Sequence, residues 1–433
     1  MSIRWRDAMD RALYGPGGFF VSGTGPADHF RTSVHASPAF AAALLRLLSQ
    51  VDAALGHPAR LSVVDVGAGR GELLLTLQRL VEAVGVAVGV SGEPTHSGRS
   101  GLIPAWAGSP ETLTSTASAR RSPGDPSFAA ARTSLAERVR FTAVELAPRP
   151  EHLPEEIEWV SEIPAGITGL LIATEWLDNV PLDVAALTGD GWRYVLVDPD
   201  SGAETVGELV STADLEWLTT WWPLPSDPPS SGADSDPDPA STWTDATSGS
   251  ESGFRPARPA QGSSLTARSR PGCPETPNGN ARAEIGRSRD EAWAAAVQKI
   301  ERGLAVAVDY GHLRESRPVD GTLTGYRGGR QVPPVPDGSS DVTAHVAMDS
   351  VASAGAAVAL CAYSLVSQSE ALRALGADGG RPPLSLAGTD PAGYVRALAA
   401  ASAVAELTDP AGLGGHLWLR QPVGIELAPA VAR

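Results

Sequence analysis

Asp65 stands two residues before Gly67-Ala-Gly-Arg-Gly71, just past the apolar run 61–66. Glycines at 67, 69 and 71 permit a tight turn and let a ligand lie against bare backbone. The spacing is neither the G-x-G-x-x-G of dinucleotide binders nor the G-x-x-x-x-G-K-[ST] of a phosphate loop. A carboxylate with no phosphate-gripping lysine suits a ligand that carries positive charge and no phosphate. Glu145 ends a second apolar run, 139–146. A carboxylate there can accept both hydroxyls of a ribose, or it can be an exposed strand-end acid. Glu175 and Asp178 flank Trp176-Leu177. Three apart in a turn, they can converge on a cationic nitrogen group by charge-assisted, bidentate hydrogen bonds and accept its proton. The competing reading is a helix N-cap from Asp178 or Thr174. Asp309-Tyr310-Gly311 either shapes an acceptor pocket or ends a strand. His345, in Asp341-Val-Thr-Ala-His345, is a base of the right strength near neutral pH or a structural histidine.

These tips need a scaffold that brings them together. The runs 61–66, 139–146, 167–173 and 304–311 read as strands, the first as a parallel strand buried on both faces. Residues 192–197 read as a further strand paired with 184–187, and 358–366 and 416–421 as two more. Helices are expected at 5–13, at 38–55 with Ser37 as N-cap and Pro38 in the first turn, and from 72 onward. Others are expected at 214–222, at 291–302 with Gly303 as the stop, and at 347–357, 369–375 and 394–406. Strands alternating with helices predict an α/β fold with a parallel sheet covered on both faces. Such sheets bind ligands at the carboxyl ends of their strands, where all four polar tips fall. Residues of about 91–133 and about 225–282 are rich in Ser, Pro, Gly and Thr, and read as disordered insertions.

Composition narrows the classes. A chain of 433 residues with 42% hydrophobic residues can bury a substantial core in two or three domains, or in one with large insertions. A net charge of −16 speaks against nucleic-acid binding. Cys273 and Cys361 cannot make a disulfide framework or a Cys-rich zinc site, and no His-x-x-His suggests a metal. No Gly-x-Ser-x-Gly elbow suggests a hydrolase. The first residues lack the apolar core of a signal peptide, and the Ala-rich run 351–366 is too short and interrupted to span a membrane. The default is a cytoplasmic protein without a membrane partner.

The acid–glycine turn resembles motif I of class I methyltransferases, and the wider pattern resembles the MidA-like S-adenosylmethionine (SAM)-dependent methyltransferases. Tyr14-Gly-Pro-Gly-Gly-Phe-Phe20, His29-Phe-Arg-Thr-Ser33 and Phe40 are similar to that family's N-terminal signature. Val144-Glu-Leu146 resembles its second strand end, and Thr174-Glu-Trp-Leu-Asp-Asn-Val-Pro181 its N-E-x-x-D-A-x-P loop. Asp309-Tyr-Gly311, Gly321-Thr-Leu323, Asp341-Val-Thr-Ala-His-Val346 and Gln368 with Leu372 and Gly376 follow in order. The chain departs from the pattern at His29, Ala147 and Thr174.

The resemblance implies a class I, Rossmann-like sheet with SAM as cofactor, an N-terminal segment that closes over it and an added helical region. It implies methyl transfer to a protein side-chain nitrogen. In the mitochondrial member that is arginine methylation of a subunit of respiratory complex I. On this reading residues 1–60 are a helical, cofactor-capping segment. Residues 61–200 form the SAM-binding core, 201–302 a helical region, and 303–433 the rest of the sheet with the acceptor-site loops. Thr32, Ser33, Asp65, Gly67, Gly69, Gly71 and Glu145 bind the cofactor, while Glu175, Asp178 and His345 serve the acceptor. Two other readings stand beside it: a non-catalytic assembly protein whose Trp217, Trp221 and Trp222 form an interaction surface, and a small-molecule methyltransferase.

Overall fold

The computed structural model describes residues 1–21, 32–89, 133–223, 281–377 and 379–427. The insertions expected at about 91–133 and about 225–282 therefore lie outside the described residues, apart from their last one or two.

Seven strands form the central sheet: β1 (Leu61–Val66), β2 (Val139–Val144), β3 (Ile157–Val160), β4 (Ile167–Thr174), β5 (Ile300–Asp309), β6 (Ser364–Ser367) and β7 (Leu417–Val423). Their order is β3-β2-β1-β4-β5-β7-β6. Strands β1 to β5 are parallel, and β7 runs antiparallel to both β5 and β6. The chain thus winds outward in both directions from β1 and β4, and the gap between them is the switch point where such sheets bind ligands. Apolar runs make these strands because both faces are covered. Leu61, Val63, Leu170, Leu171 and Ile172 are all buried.

One face packs against the helices Pro38–Ala54 and Glu72–Gly89, with Phe40 against Trp418 at 5.6 Å between ring centroids. Ser37 caps the first of these helices by accepting the Ala39 amide at 3.1 Å. The other face packs against Arg287–Gln298 and Met348–Ala359. The α/β fold with helices on both faces is as expected.

The register levels the strand ends. Val66 pairs with Val144 and Ala173, and Thr174 with Val308. The rungs run one step further, with Gly67 N–H donating to Val144 O, Glu145 N–H to Val160 O and Glu175 N–H to Val308 O. The glycine turn, Glu145, Glu175 and Asp309 therefore emerge on one edge.

A second sheet joins Ile3–Arg4, Gly191–Val197, Asp183–Thr188 and Arg282–Ile285, with Glu204–Leu209 beside Gly191–Val197. The expected pairing of 184–187 with 192–197 is there, antiparallel. The accessory region carries more β-structure than its helical pattern predicts. Glu204–Leu209 is polar and largely exposed, and Arg282–Ile285 adjoins a Ser/Pro-rich stretch, so neither shows the apolar alternation of a strand. Gly303 is a second difference. It lies inside β5 opposite Gly169, where a Cβ would meet the Gly169 carbonyl at 2.0 Å. The preceding helix stops earlier, at Gln298, because Ile300 already belongs to the sheet. Likewise the expected strand 358–366 is helix to Ala359 and strand only from Ser364, with Leu360 turning the chain at φ +53°.

Among the described residues no helix is long and apolar enough to cross a membrane, and no cluster of His, Cys, Asp or Glu could hold a metal.

Candidate active site

The strand ends open into a cavity of about 860 Å³. This is toward the upper end of the ~300–1,000 Å³ usual for small-ligand sites, enough for a nucleoside-sized cofactor beside an acceptor side chain.

On the cofactor side, Gly67 and Gly69 take left-handed backbone angles of φ +71° and +58°. A Cβ on Gly67 would come within 3.1 Å of the Trp176 ring. The turn is therefore closed against Trp176, with its other side bare. Glu145 braces it: one carboxylate oxygen accepts the Gly69 amide at 3.0 Å, the other accepts Leu146 and Ala147 amides at 2.7 and 3.1 Å. Because Ala147 contributes only backbone here, its departure from the family pattern costs nothing in this contact. Asp65 is buried at the end of β1 and has no ion-pair partner among the described residues. Burial, helped by the charges of Glu72 and Glu145, pushes its carboxyl up to about 8.

On the acceptor side, Glu175 sits at φ +50°, a strained angle for a residue with a side chain. Its amide is held by Val308 O and its carboxylate by the Ser33 amide at 3.1 Å. Burial raises it to about 8, the Ser33 N–H opposing and Asp178 adding to the rise. Asp178 accepts from the hydroxyls of Tyr310 and Thr343. Asp309 lies behind, accepting the Leu177 and Asp178 amides at 3.0 and 3.3 Å, so it holds the loop and does not line the cavity. Burial raises Asp178, Asp309 and Asp341 alike. The buried cation among them is Arg289. It donates to Val180, Ala344 and His345 carbonyls at 2.9–3.1 Å, and to that of Asp178. One guanidinium thus ties the 178–181 loop to the 344–345 loop.

Of the residues expected from sequence, Thr32, Asp65, Gly67, Gly69, Glu145, Glu175, Asp178 and His345 line this one cavity. Ser33 and Gly71 do not. The Ser33 hydroxyl turns inward to Gln368 at 3.1 Å. Gly71 faces Leu153, whose Cδ1 would lie 2.7 Å from any Cβ, so it serves close packing. His345 packs edge-on to Tyr310 at 5.1 Å, and lost hydration lowers its basicity. Thr174 lines the cavity with its hydroxyl unpaired, while His29 lies outside the described residues. Trp217 and Trp222 are buried, and the Trp217 indole donates to Asp290 and Ser350. Those two are therefore core, which removes the interaction surface drawn for them. Arg289 carries no sequence signal, and Asp341 and Thr343 enter the sequence reading only as members of the motif around His345. Asp341 and Thr343 stand two apart in the strand Asp341–Thr343 and so share one of its faces, with His345 beyond the strand's end.

Among the described residues the lining holds six acidic side chains, those of Asp65, Glu72, Glu145, Glu175, Asp178 and Asp341, against one arginine and no lysine. Burial keeps several of these acids protonated while the cavity is empty, and a cation that enters favours their ionised form, so the wall selects cations over phosphate. A ligand with ammonium and sulfonium charges and a ribose fits it: Asp65 lacks a cation, Glu145 faces the cavity and the glycines leave bare backbone between them.

The sequence profile of the family described as "Putative S-adenosyl-L-methionine-dependent methyltransferase" matches residues 129–365, more than half of the chain. The chain belongs to this family, which bears out the MidA-like resemblance, and SAM is its cofactor. Two solved structures from Burkholderia thailandensis share the fold. One, a COG1565 superfamily member bound to S-adenosyl-homocysteine, is 20% identical with a TM-score of 0.60, covering 99% of this chain and 90% of that one. The other, an uncharacterized COG1565 superfamily protein, is 22% identical with a TM-score of 0.56, covering 100% and 90%. No curated protein matches the chain.

Proposed function

We propose that the protein transfers a methyl group from SAM to a side-chain nitrogen of a protein, with arginine as the acceptor. The observation that carries this reading is the acidic acceptor wall. Glu175, Asp178 and Asp341 line the cavity beyond the glycine turn with no lysine opposite them. A guanidinium satisfies such a wall, because its planar fork of N–H groups matches carboxylates and keeps its charge when buried.

Bound at the glycine turn, SAM supplies an electrophilic methyl group. Asp65 offers its carboxylate to the cofactor's cationic end, and Glu145 its outward lone pairs to the ribose hydroxyls. Glu175 and Asp178 orient the acceptor nitrogen and take the proton that nitrogen must lose. Their raised affinity for protons suits them to that task near neutral pH. Thr32 and His35, with Tyr14 and Phe20, wall the cavity from the N-terminal segment and exclude water. Alignment and dryness are the main demands of such a transfer.

Glu175→Gln tests the assignment. Methyl transfer to arginine peptides should fall by about 10²–10⁴-fold, the usual worth of a positioned acid–base group, with SAM affinity retained. Equal loss of both would remove Glu175 from the acceptor side.

A further inference from the structure

Asp178 has one carboxylate oxygen tied and the other free. Oδ2 accepts from the Tyr310 hydroxyl and from the Thr343 hydroxyl at 2.7 Å, and these hydroxyls lie 2.8 Å from each other. Oδ1 is buried and has no hydrogen-bond partner among the described residues. A buried carboxylate oxygen left unpaired is costly and rare, so it calls for a partner that arrives later. Among the described residues two other buried acidic oxygens lack partners, on Asp290 and Asp309, but neither residue lines the cavity, whereas Asp178 does.

The residue cannot turn to relieve this. Its amide donates to Asp309 at 3.3 Å and its carbonyl accepts from Arg289. A half-turn about the last side-chain bond only exchanges two equivalent oxygens, so whichever one the hydroxyls hold, the other stays unpaired. The Tyr310 ring is itself wedged between imidazoles, 5.1 Å from His345 and 5.6 Å from His416.

We propose that Tyr310 and Thr343 are positioning residues that hold Asp178 with Oδ1 presented to the cavity, where it takes an N–H of the cationic acceptor side chain. This rests on the reading that the acceptor nitrogen binds against Asp178. Thr343 lies outside the cavity lining and acts through Asp178, while Tyr310 lines the cavity with its hydroxyl held on Oδ2, the oxygen that is not presented to that nitrogen.

The test is calorimetric titration of the full chain, saturated with S-adenosylhomocysteine, with the N-acetyl methylamides of arginine, lysine and histidine. Wild type should bind the arginine probe. Tyr310→Phe and Thr343→Val should each weaken that binding about tenfold or more, as expected when a charged hydrogen-bond network is broken. Thr343→Ser, which keeps the hydroxyl, should bind like wild type, and S-adenosylhomocysteine affinity should be unchanged throughout. The proposal is overturned if the Phe and Val variants bind the probe normally, if they lose cofactor and probe affinity in equal proportion, or if wild type binds none of the three probes. Should wild type prefer the lysine or histidine probe and the variants lose it, the positioning role stands and the arginine assignment falls.

Discussion

The Ser33 amide donates to the Glu175 carboxylate at 3.1 Å, joining the segment that precedes the helix Pro38–Ala54 to the loop that follows β4. The same segment reaches the cofactor side, where His35 meets Glu72 at 3.4 Å. One short stretch of chain thus touches both halves of the cavity. Ser33 opens a four-residue helical turn, Ser33–Ala36, a position where proline is tolerated and carries no N–H. The backbone there accepts Ser33→Pro, which removes the donor from Glu175 together with the hydroxyl bond to Gln368, so Ser33→Ala, which loses only the hydroxyl, is its control. That N–H favours the ionised form. Its loss should raise the Glu175 carboxyl further and move the acidic limb of the rate–pH profile to higher pH. An unmoved limb would mean that Glu175 does not titrate in turnover.

Asp65 predicts a trade between stability and binding. Its carboxyl stays neutral to about 8 in the fold, against an ordinary value of 3.8. Between those values folding takes up a proton, so ligand-free stability falls as pH rises and levels off above about 8. Asp65→Asn removes this penalty. Without ligand it should melt above wild type at alkaline pH and close to it near the ordinary carboxyl value. Wild-type SAM affinity should rise with pH toward about 8 as Asp65 ionises; in the variant affinity should drop and that rise should vanish. A variant that melts lower than wild type at high pH would contradict the burial argument.

Glu145 has two duties that substitutions can separate. Glu145→Gln keeps one oxygen for the Gly69 amide but turns an NH2 toward the Leu146 and Ala147 amides and loses the charge that strengthens a bond to ribose. Glu145→Ala loses both. Calorimetry should show SAM binding weakened about tenfold by Gln and further by Ala. Equal affinity across wild type and both variants would remove the residue from the cofactor site.

Much of this site is legible in the chain. Apolar runs that end in Asp65, Glu145, Glu175 and Asp309 predict a parallel sheet, and a level register then gathers their tips at one edge. What local pattern does not show is which tips face inward. Asp309 turns back to hold the loop, Gly71 faces Leu153, and the Ser33 hydroxyl faces Gln368. Each orientation is fixed by a contact 80 or more residues away in sequence. Arg289 is the clearest omission. It precedes the helix expected at 291–302, where no local pattern marks it, yet it is among the largest fully buried side chains, because the two loops it joins close over it.

That burial gives a further prediction. Arg289→Lys keeps the charge but cannot reach four carbonyls with one planar fork. Breaking such a buried network by removing a partner costs about 3–5 kcal/mol. Both Arg289→Lys and Arg289→Ala should therefore lower the melting temperature, with lysine giving little rescue. A lysine variant as stable as wild type would show that charge alone holds the loops.

The central claim is tested most directly by incubating the purified protein with methyl-labelled SAM and arginine-containing peptides, then hydrolysing the products to amino acids. The account predicts label recovered as methylarginine, lost with Glu175→Gln while that variant still binds SAM. Label on another residue type, label only on small molecules, or an equal yield from the Glu175→Gln variant would contradict it.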